Sequence, residues 1–192
     1  MVFSGAYDQC RNLTALTVGK GSIRGILYPR WKRFHAGDDD QLWEYPTLKT
    51  LWTNAHNTPG GWTLYFHSKG SSRADGLGTL WRRLLCHGIF AKWKIALDAL
   101  DRGYEVATCF VQQQPTMHGA GNWWYCRNSV LLDLPEPAPS DEYPGRLNAE
   151  MWLMQNNPQC FELMPDPATF HDQYRSEIYR ETQPQQSITE PW

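Results

Sequence analysis

The feature that most constrains the fold is a short aromatic run, Trp62–Phe66, which stands between two sets of turn residues. Pro59–Gly61 precede it, and the segment His67–Gly70 (HSKG) follows it. A run of this length and composition predicts a buried strand. Because ligands bind at the carboxyl ends of strands in open α/β sheets, His67 and Lys69 would suit an anion such as a phosphate there. The plainer interpretation is a polar turn that leaves a strand.

Length and charge limit the classes of function. The chain has 192 residues, which fits one domain with a substantial core. Its formal net charge is -2, from 18 basic and 20 acidic residues. This balance gives no signal for nucleic acid or for an anionic membrane surface. We therefore expect no nucleic-acid partner. No run of apolar residues reaches transmembrane length, so we also expect no transmembrane segment.

The cysteines indicate a reducing compartment. Their number, five, is odd, their spacings are wide, and no CxxC pair occurs. A disulfide framework or a structural zinc site is therefore not expected. The segment Met1–Leu13 has no basic start followed by an apolar stretch, and we expect no signal peptide. Together these features predict a cytoplasmic protein.

Helices and strands are predicted to alternate along the chain, as in α/β folds. The main predicted elements are a helix over Glu44–Ala55, a helix over Leu80–Arg102, a strand over Tyr104–Val111, a strand over Gly121–Arg127 and a helix over Arg146–Gln155. Residues 1–164 are predicted to form one compact domain. Residues 165–192 are predicted to be a polar, partly disordered extension.

Three polar segments outside the HSKG strand are candidates for a site. The acidic turn Asp38–Asp40 precedes a predicted helix, where it either caps that helix or holds a hard cation or sugar hydroxyls. Arg82 begins a helix close in sequence to HSKG, and it either faces the same pocket or lies on the surface. Gly121 permits close approach of backbone or ligand, and His118 lies in the polar loop before it.

Five short segments stand in order along the chain. They are Glu44–Leu48 (EYPTL), Tyr65–Gly70 (YFHSKG), Trp81-Arg82, Gly121–Trp124 (GNWW) and Ala149–Trp152 (AEMW). Together they resemble the pattern of a group of small glycosyltransferase-like proteins of bacteria and large DNA viruses, over about residues 37 to 155. A looser similarity links the chain to rhamnan-synthesis glycosyltransferases.

The resemblance implies a GT-A-type fold, a three-layer α/β sandwich around a mostly parallel central sheet. It implies a hexosyl- or deoxyhexosyltransferase of polysaccharide biosynthesis, with a nucleotide-sugar donor and a glycan or other hydroxyl acceptor. Such enzymes often hold Mn²⁺ or Mg²⁺ in a D-x-D motif. In this chain the letters of that motif are met by Asp38 and Asp40, before a helix, whereas the central strand ends in His67-Ser68-Lys69.

Glycosyl transfer assigns the candidate residues to two tasks. The charge of the leaving diphosphate must be neutralised, for which His67, Lys69 and Arg82 are the candidates. For inversion at the sugar, a carboxylate must take the proton of the acceptor hydroxyl, for which Glu150 is the candidate. The alternative for Glu150 is a carboxylate on a helix surface. The remaining predicted substrate contacts are Ser68, Gly70, His118, Gly121, Asn122, Trp123 and Trp124, with core packing as the alternative for at least one indole ring.

Two other functions stay open at the level of sequence. A non-catalytic carbohydrate-binding protein derived from a transferase would bind sugar without nucleotide and without turnover. A glycoside hydrolase needs two carboxylates that flank one bond, for which Asp141, Glu142 and Glu150 are the candidates. The hydrolase leaves the cluster of His67, Lys69 and Arg82 without a role.

Overall fold

A computed structural model describes residues 5–20, 30–68, 76–114, 116–139 and 146–164. The predicted extension over residues 165–192 lies outside the described residues, as do Lys69, Gly70, Asp141 and Glu142. The division into a domain and an extension therefore stays a prediction.

Within the described part, no helix is long and apolar enough to cross a membrane.

Helices and strands alternate through the described residues. The α-helices are α1 (Ala6–Gln9), α2 (Tyr45–Asn57), α3 (Gly76–Cys86), α4 (Trp93–Asp101), α5 (Asn128–Leu132) and α6 (Arg146–Met151). Short 3-10 helices cover Asp40–Leu42 and Trp152–Met154, and a π-helical turn covers His87–Ala91. The strands are β1 (Leu13–Thr17), β2 (Trp31–His35), β3 (Trp62–Tyr65), β4 (Val106–Thr108), β5 (Val111–Gln112), β6 (His118–Gly119), β7 (Trp124–Arg127) and β8 (Cys160–Glu162).

The largest sheet of the described part has the strand order β3-β7-β4-β8. Strand β7 pairs antiparallel with both β3 and β4, whereas β4 and β8 pair in parallel. Strands β3, β4 and β8 therefore run in one direction and β7 runs against them. As a result, the carboxyl ends of three strands and the amino end of β7 meet at one edge of the sheet.

Both faces of this sheet are covered, because successive residues of its central strand β7 pack into different cores. Trp124 packs into one core with residues of α2, α5 and the 3-10 helix at Trp152. Tyr125, on the opposite face, packs into a second core with residues of α3, the π turn and α4. Trp124 and Tyr125 are 1 % and 0 % exposed. The strand predicted over Gly121–Arg127 is confirmed for Trp124–Arg127, and both of its faces are covered.

The α/β class predicted from sequence is confirmed, but the described sheets are small and mixed. The expected mostly parallel sheet is not what these strands form, since two of the three pairings in the main sheet are antiparallel. The cause is β7, which enters the sheet between β3 and β4 and reverses both pairings. A second, two-stranded sheet pairs β1 and β2 in parallel.

The helix predicted over Leu80–Arg102 is interrupted. The π turn separates α3 from α4 within the predicted range. Gly88 lies in this turn, and a Cβ atom there would come within 2.5 Å of the Cys109 sulfur. The main chain thus approaches the residue that follows β4 more closely than a side chain would permit. An apolar pattern at helical spacing predicts which faces of a helix are exposed and which are buried. It does not reveal the extra residue that a π turn inserts into the helix.

We predict that Gly88→Ala lowers the free energy of unfolding by about 1–3 kcal/mol, as expected for overpacking in a filled core. The added methyl group would also lie 3.2 Å from the Met164 Cγ atom. Equilibrium unfolding in urea measures the loss. Gly60→Ala is the control, because nothing lies within 4 Å of a Cβ atom at that position. Equal stability of the two variants would contradict the close packing at the π turn.

Candidate functional site

Glu44 is the centre of a polar cluster at the edge where the strands β3, β4 and β8 end. It immediately precedes α2, and its side chain is only 15 % exposed. One carboxylate oxygen, Oε2, accepts hydrogen bonds from the Tyr65 hydroxyl at 2.9 Å and from Asn122 Nδ2 at 2.5 Å. The other oxygen, Oε1, lies 3.5 Å from His67 Nε2. Glu44 is the acceptor in both hydrogen bonds, which is the role of a carboxylate.

The turn before β7 holds Asn122 in place. Gly121 and Asn122 have φ angles of 85° and 52°, in the left-handed region that glycine and asparagine tolerate best. Asn122 Oδ1 accepts a hydrogen bond from Trp124 Nε1 at 3.0 Å, which leaves the amide nitrogen to donate to Glu44. The turn is further fixed by Thr108, whose hydroxyl donates to the Trp123 carbonyl oxygen at 2.9 Å. The amide is therefore oriented by the fold before any ligand is present.

Tyr65, the last residue of β3, lies between two carboxylates. Burial, the hydrogen-bonded charge of Glu44 and the charge of Glu150 together hold the pKa of its hydroxyl well above the usual range. Tyr65 consequently stays protonated and keeps donating to Glu44 at any pH near neutrality. Glu150 is itself only 9 % exposed, so the alternative interpretation of a helix-surface carboxylate is wrong.

His67 follows β3 and lies between the carboxylate cluster and a group of aromatic rings. Its ring centroid is 5.7 Å from that of Tyr65 and 6.4 Å from that of Trp123. Trp123 is also in contact with the rings of Phe66 and Phe90. The structure thus brings together His67, which was predicted to act at the diphosphate, and Asn122 and Trp123, which were predicted to contact substrate; these roles stay predictions.

The two indoles predicted to contact sugar are core residues. Trp123 and Trp124 are 3 % and 1 % exposed, so neither ring has an open face on which a sugar could stack in this conformation. The Nε1 atom of Trp123 is buried, and it has no hydrogen-bond partner among the described residues. An unsatisfied buried donor costs about 1–3 kcal/mol. A ligand acceptor reaching this nitrogen would relieve that cost.

The two aspartates of the predicted metal pair contact residues close to them in the sequence. The carboxylate of Asp38 is 3.0 Å from His35 Nε2, and that of Asp40 accepts from the Gln41 side chain at 3.1 Å. Both aspartates are exposed. In the described part of the chain, no group of three or more His, Cys, Asp or Glu side chains is placed to hold a metal ion. Metal binding at Asp38 and Asp40 stays a prediction.

Other predicted site residues have local contacts or lie outside the description. Arg82 Nη2 is 3.3 Å from the Thr79 hydroxyl, one turn earlier on α3. His118 is 9 % exposed, and its Nδ1 atom is 2.8 Å from the Thr116 carbonyl oxygen. Ser68 is exposed directly after His67, whereas Lys69 and Gly70 lie outside the described residues. Gly121 packs against a side chain, since a Cβ atom there would come within 2.8 Å of Leu85 Cδ1.

Glu44 and Tyr65 were not among the predicted site residues. Both stand inside the motif segments EYPTL and YFHSKG, so the signal was present in the sequence. A glutamate just before a helix is typical of dipole compensation, and a tyrosine at the end of an aromatic run is typical of the core. Only the pairing of β3 with β7, which sets Tyr65 opposite Trp124, shows that Glu44, Tyr65 and Asn122 meet.

Comparison with protein-family models, with curated proteins and with solved structures gave no match to this chain.

We predict that Asn122→Asp destabilises the protein by about 2–4 kcal/mol at neutral pH, because it sets a second carboxylate against a largely buried one and removes a donor. Urea unfolding measures the change in the free energy of unfolding. Asn157→Asp is the matched control, since Asn157 has a similar φ of 49° but is exposed. A loss at Asn122 no larger than at Asn157 would refute the contact with Glu44.

Proposed function

We propose that the protein is a glycosyltransferase that moves a sugar from a nucleotide-sugar donor to a hydroxyl group of a glycan acceptor. The observation that carries the proposal is the cluster of Glu44, Tyr65, His67 and Asn122, with Glu150 close by, at the shared edge of the main sheet. This edge is where α/β sheets bind their ligands. A sheet covered on both faces is compatible with the GT-A-like sandwich, which we propose as the finer fold.

The cluster offers groups for each part of an inverting transfer. Glu150, as base, takes the proton of the acceptor hydroxyl while the acceptor oxygen bonds to the anomeric carbon. The bond from that carbon to the diphosphate oxygen breaks, and the diphosphate leaves with its electron pair. His67, with Lys69 and Arg82 as further candidates, lowers the cost of that charge. Glu44 positions His67 and Asn122 and is itself occupied by two donors.

A glycoside hydrolase is the second candidate, and one observation favours it. Glu44 and Glu150 are both close enough to Tyr65 for their charges to affect its ionisation. Two neighbouring carboxylates are what hydrolysis of a glycosidic bond requires. The other predicted candidates for this reaction, Asp141 and Glu142, lie outside the described residues. The two candidates differ in their need for a nucleotide, which only the transferase has.

We expect a thermal-shift panel of nucleoside diphosphates and nucleotide sugars to identify at least one ligand that stabilises the fold. A ligand at about 100 times its Kd adds roughly 2.7 kcal/mol, which is readily detected. Running each ligand with and without Mn²⁺ or Mg²⁺ tests the predicted cofactor separately. If the folded protein shows no shift with any nucleotide, the transferase proposal fails. Release of reducing sugar from simple glycosides without nucleotide would then support the hydrolase.

We predict that Glu150→Gln keeps the nucleotide-induced thermal shift and lowers transfer by about 10²–10⁴-fold, the usual contribution of a general base. Release of nucleoside diphosphate in the presence of acceptor measures the rate. Glu136→Gln is the control, because Glu136 is an exposed carboxylate that pairs with Lys49. Unchanged turnover in Glu150→Gln would assign the base to another group.

A further inference from the structure

The residue just before Glu44 has an unusual backbone conformation. Trp43 has φ 47° and ψ -127°, and Glu44 has φ -92° and ψ -9°. These angles are close to those of a type II′ turn, about (60°, -120°) and (-80°, 0°), in which the first central position strongly favours glycine. A tryptophan there is strained. Strain of this kind persists where the surrounding structure imposes it, and it is concentrated at functional sites.

The Trp43 side chain is also exposed. It is 39 % exposed, and among the described residues it is the one exposed tryptophan. Exposed indole surface is costly in water, and it serves ligands that combine a flat apolar face with polar edges. Trp123 and Trp124 are too deeply buried to offer such a face. Consecutive Cα atoms are about 3.8 Å apart, so Trp43 borders the cluster around Glu44.

The charge around Trp43 selects the kind of ligand. Asp38, Asp39 and Asp40 are exposed just upstream of it. No Lys or Arg occurs between residues 34 and 48. A nucleoside diphosphate would be repelled by this segment. A neutral sugar would not be, and carboxylates accept hydrogen bonds from its hydroxyl groups.

We propose that Trp43 is the stacking platform of a subsite for a neutral oligosaccharide, the acceptor of the transfer reaction. That the bound sugar is the acceptor rests on the proposed function, whereas the binding of a neutral glycan at Trp43 does not depend on it. The strained turn holds the indole beside the carboxylate cluster, so that a hydroxyl group of the stacked sugar is directed to the edge of the sheet. The anionic donor is then bound by His67 and the other basic residues of the proposed function.

The experiment is a binding titration of the full chain with a panel of neutral oligosaccharides. Saturation-transfer NMR detects the binding, and calorimetry measures its affinity. Trp43→Ala and Trp43→Gly both remove the indole and should weaken oligosaccharide binding about tenfold or more. Because glycine alone fits the turn without strain, Trp43→Gly should melt at a higher temperature than Trp43→Ala. This pair separates loss of the platform from loss of stability.

Phe34→Ala is the matched control, since Phe34 is a 53 % exposed aromatic residue on β2. Its oligosaccharide affinity and the nucleotide-induced thermal shift of all three variants should equal those of the wild type. Unchanged oligosaccharide affinity in the Trp43 variants overturns the subsite and leaves the transferase standing. A wild type that binds nucleotide but no neutral oligosaccharide also overturns the subsite. Oligosaccharide binding through Trp43 without any nucleotide binding supports the subsite and overturns the transferase.

Discussion

A carboxylate that is largely removed from water must be compensated, and Glu44 imposes this requirement on three separate segments. The start of α2 supplies the carboxylate, the end of β3 supplies Tyr65, and the turn before β7 supplies Asn122. Leaving a buried charge without partners costs several kcal/mol, so the three segments are stable only together. The geometry of the cluster is for this reason a property of the fold.

The same requirement explains why the site is organised in advance. The amide of Asn122 is oriented by Trp124, which belongs to the core, and the hydroxyl of Tyr65 stays protonated because of its surroundings. Neither group needs to reorient when a substrate arrives. Groups fixed before the reaction stabilise developing charge at lower cost than groups that must first reorganise. His67, which is next to this rigid part, lies where the chain leaves the sheet.

Much of the fold could be predicted from local patterns. The aromatic run before His67 and the apolar sequence at Trp123–Cys126 predicted strands, because bulky residues in short runs between turns pack well in sheets. The break in the long helix could not be predicted, since Gly88 in the π turn packs against Cys109, a residue of another segment that local patterns do not reveal. The antiparallel entry of β7 was equally hidden, because strand direction depends on pairing and not on composition.

The site was predictable in part for the same physical reason. His67 and Asn122 follow or precede strands and are polar, and such positions carry function in α/β folds. Glu44 lies in a motif segment, but the sequence indicates no role for it, because its hydrogen-bond partners are distant in sequence. For Trp123 and Trp124 the sequence predicted sugar contact, whereas both are core residues. An indole ring suits a sugar site and a core equally well, and only its burial distinguishes the two roles.

The position of β7 has a consequence for how the chain becomes a sheet. Thr63 in β3 hydrogen-bonds to Asn128, the residue after β7, and these residues are 65 positions apart. Strands β3 and β4 have no hydrogen bonds to each other within the sheet, so neither is paired until β7 has been synthesised. A growing chain therefore exposes unpaired apolar strand edges during translation, which favours slow folding and association with chaperones. Strand β7 fills the gap between β3 and β4, and the turn before it brings Asn122 to Glu44, so the pairing that joins the two strands also places part of the polar cluster.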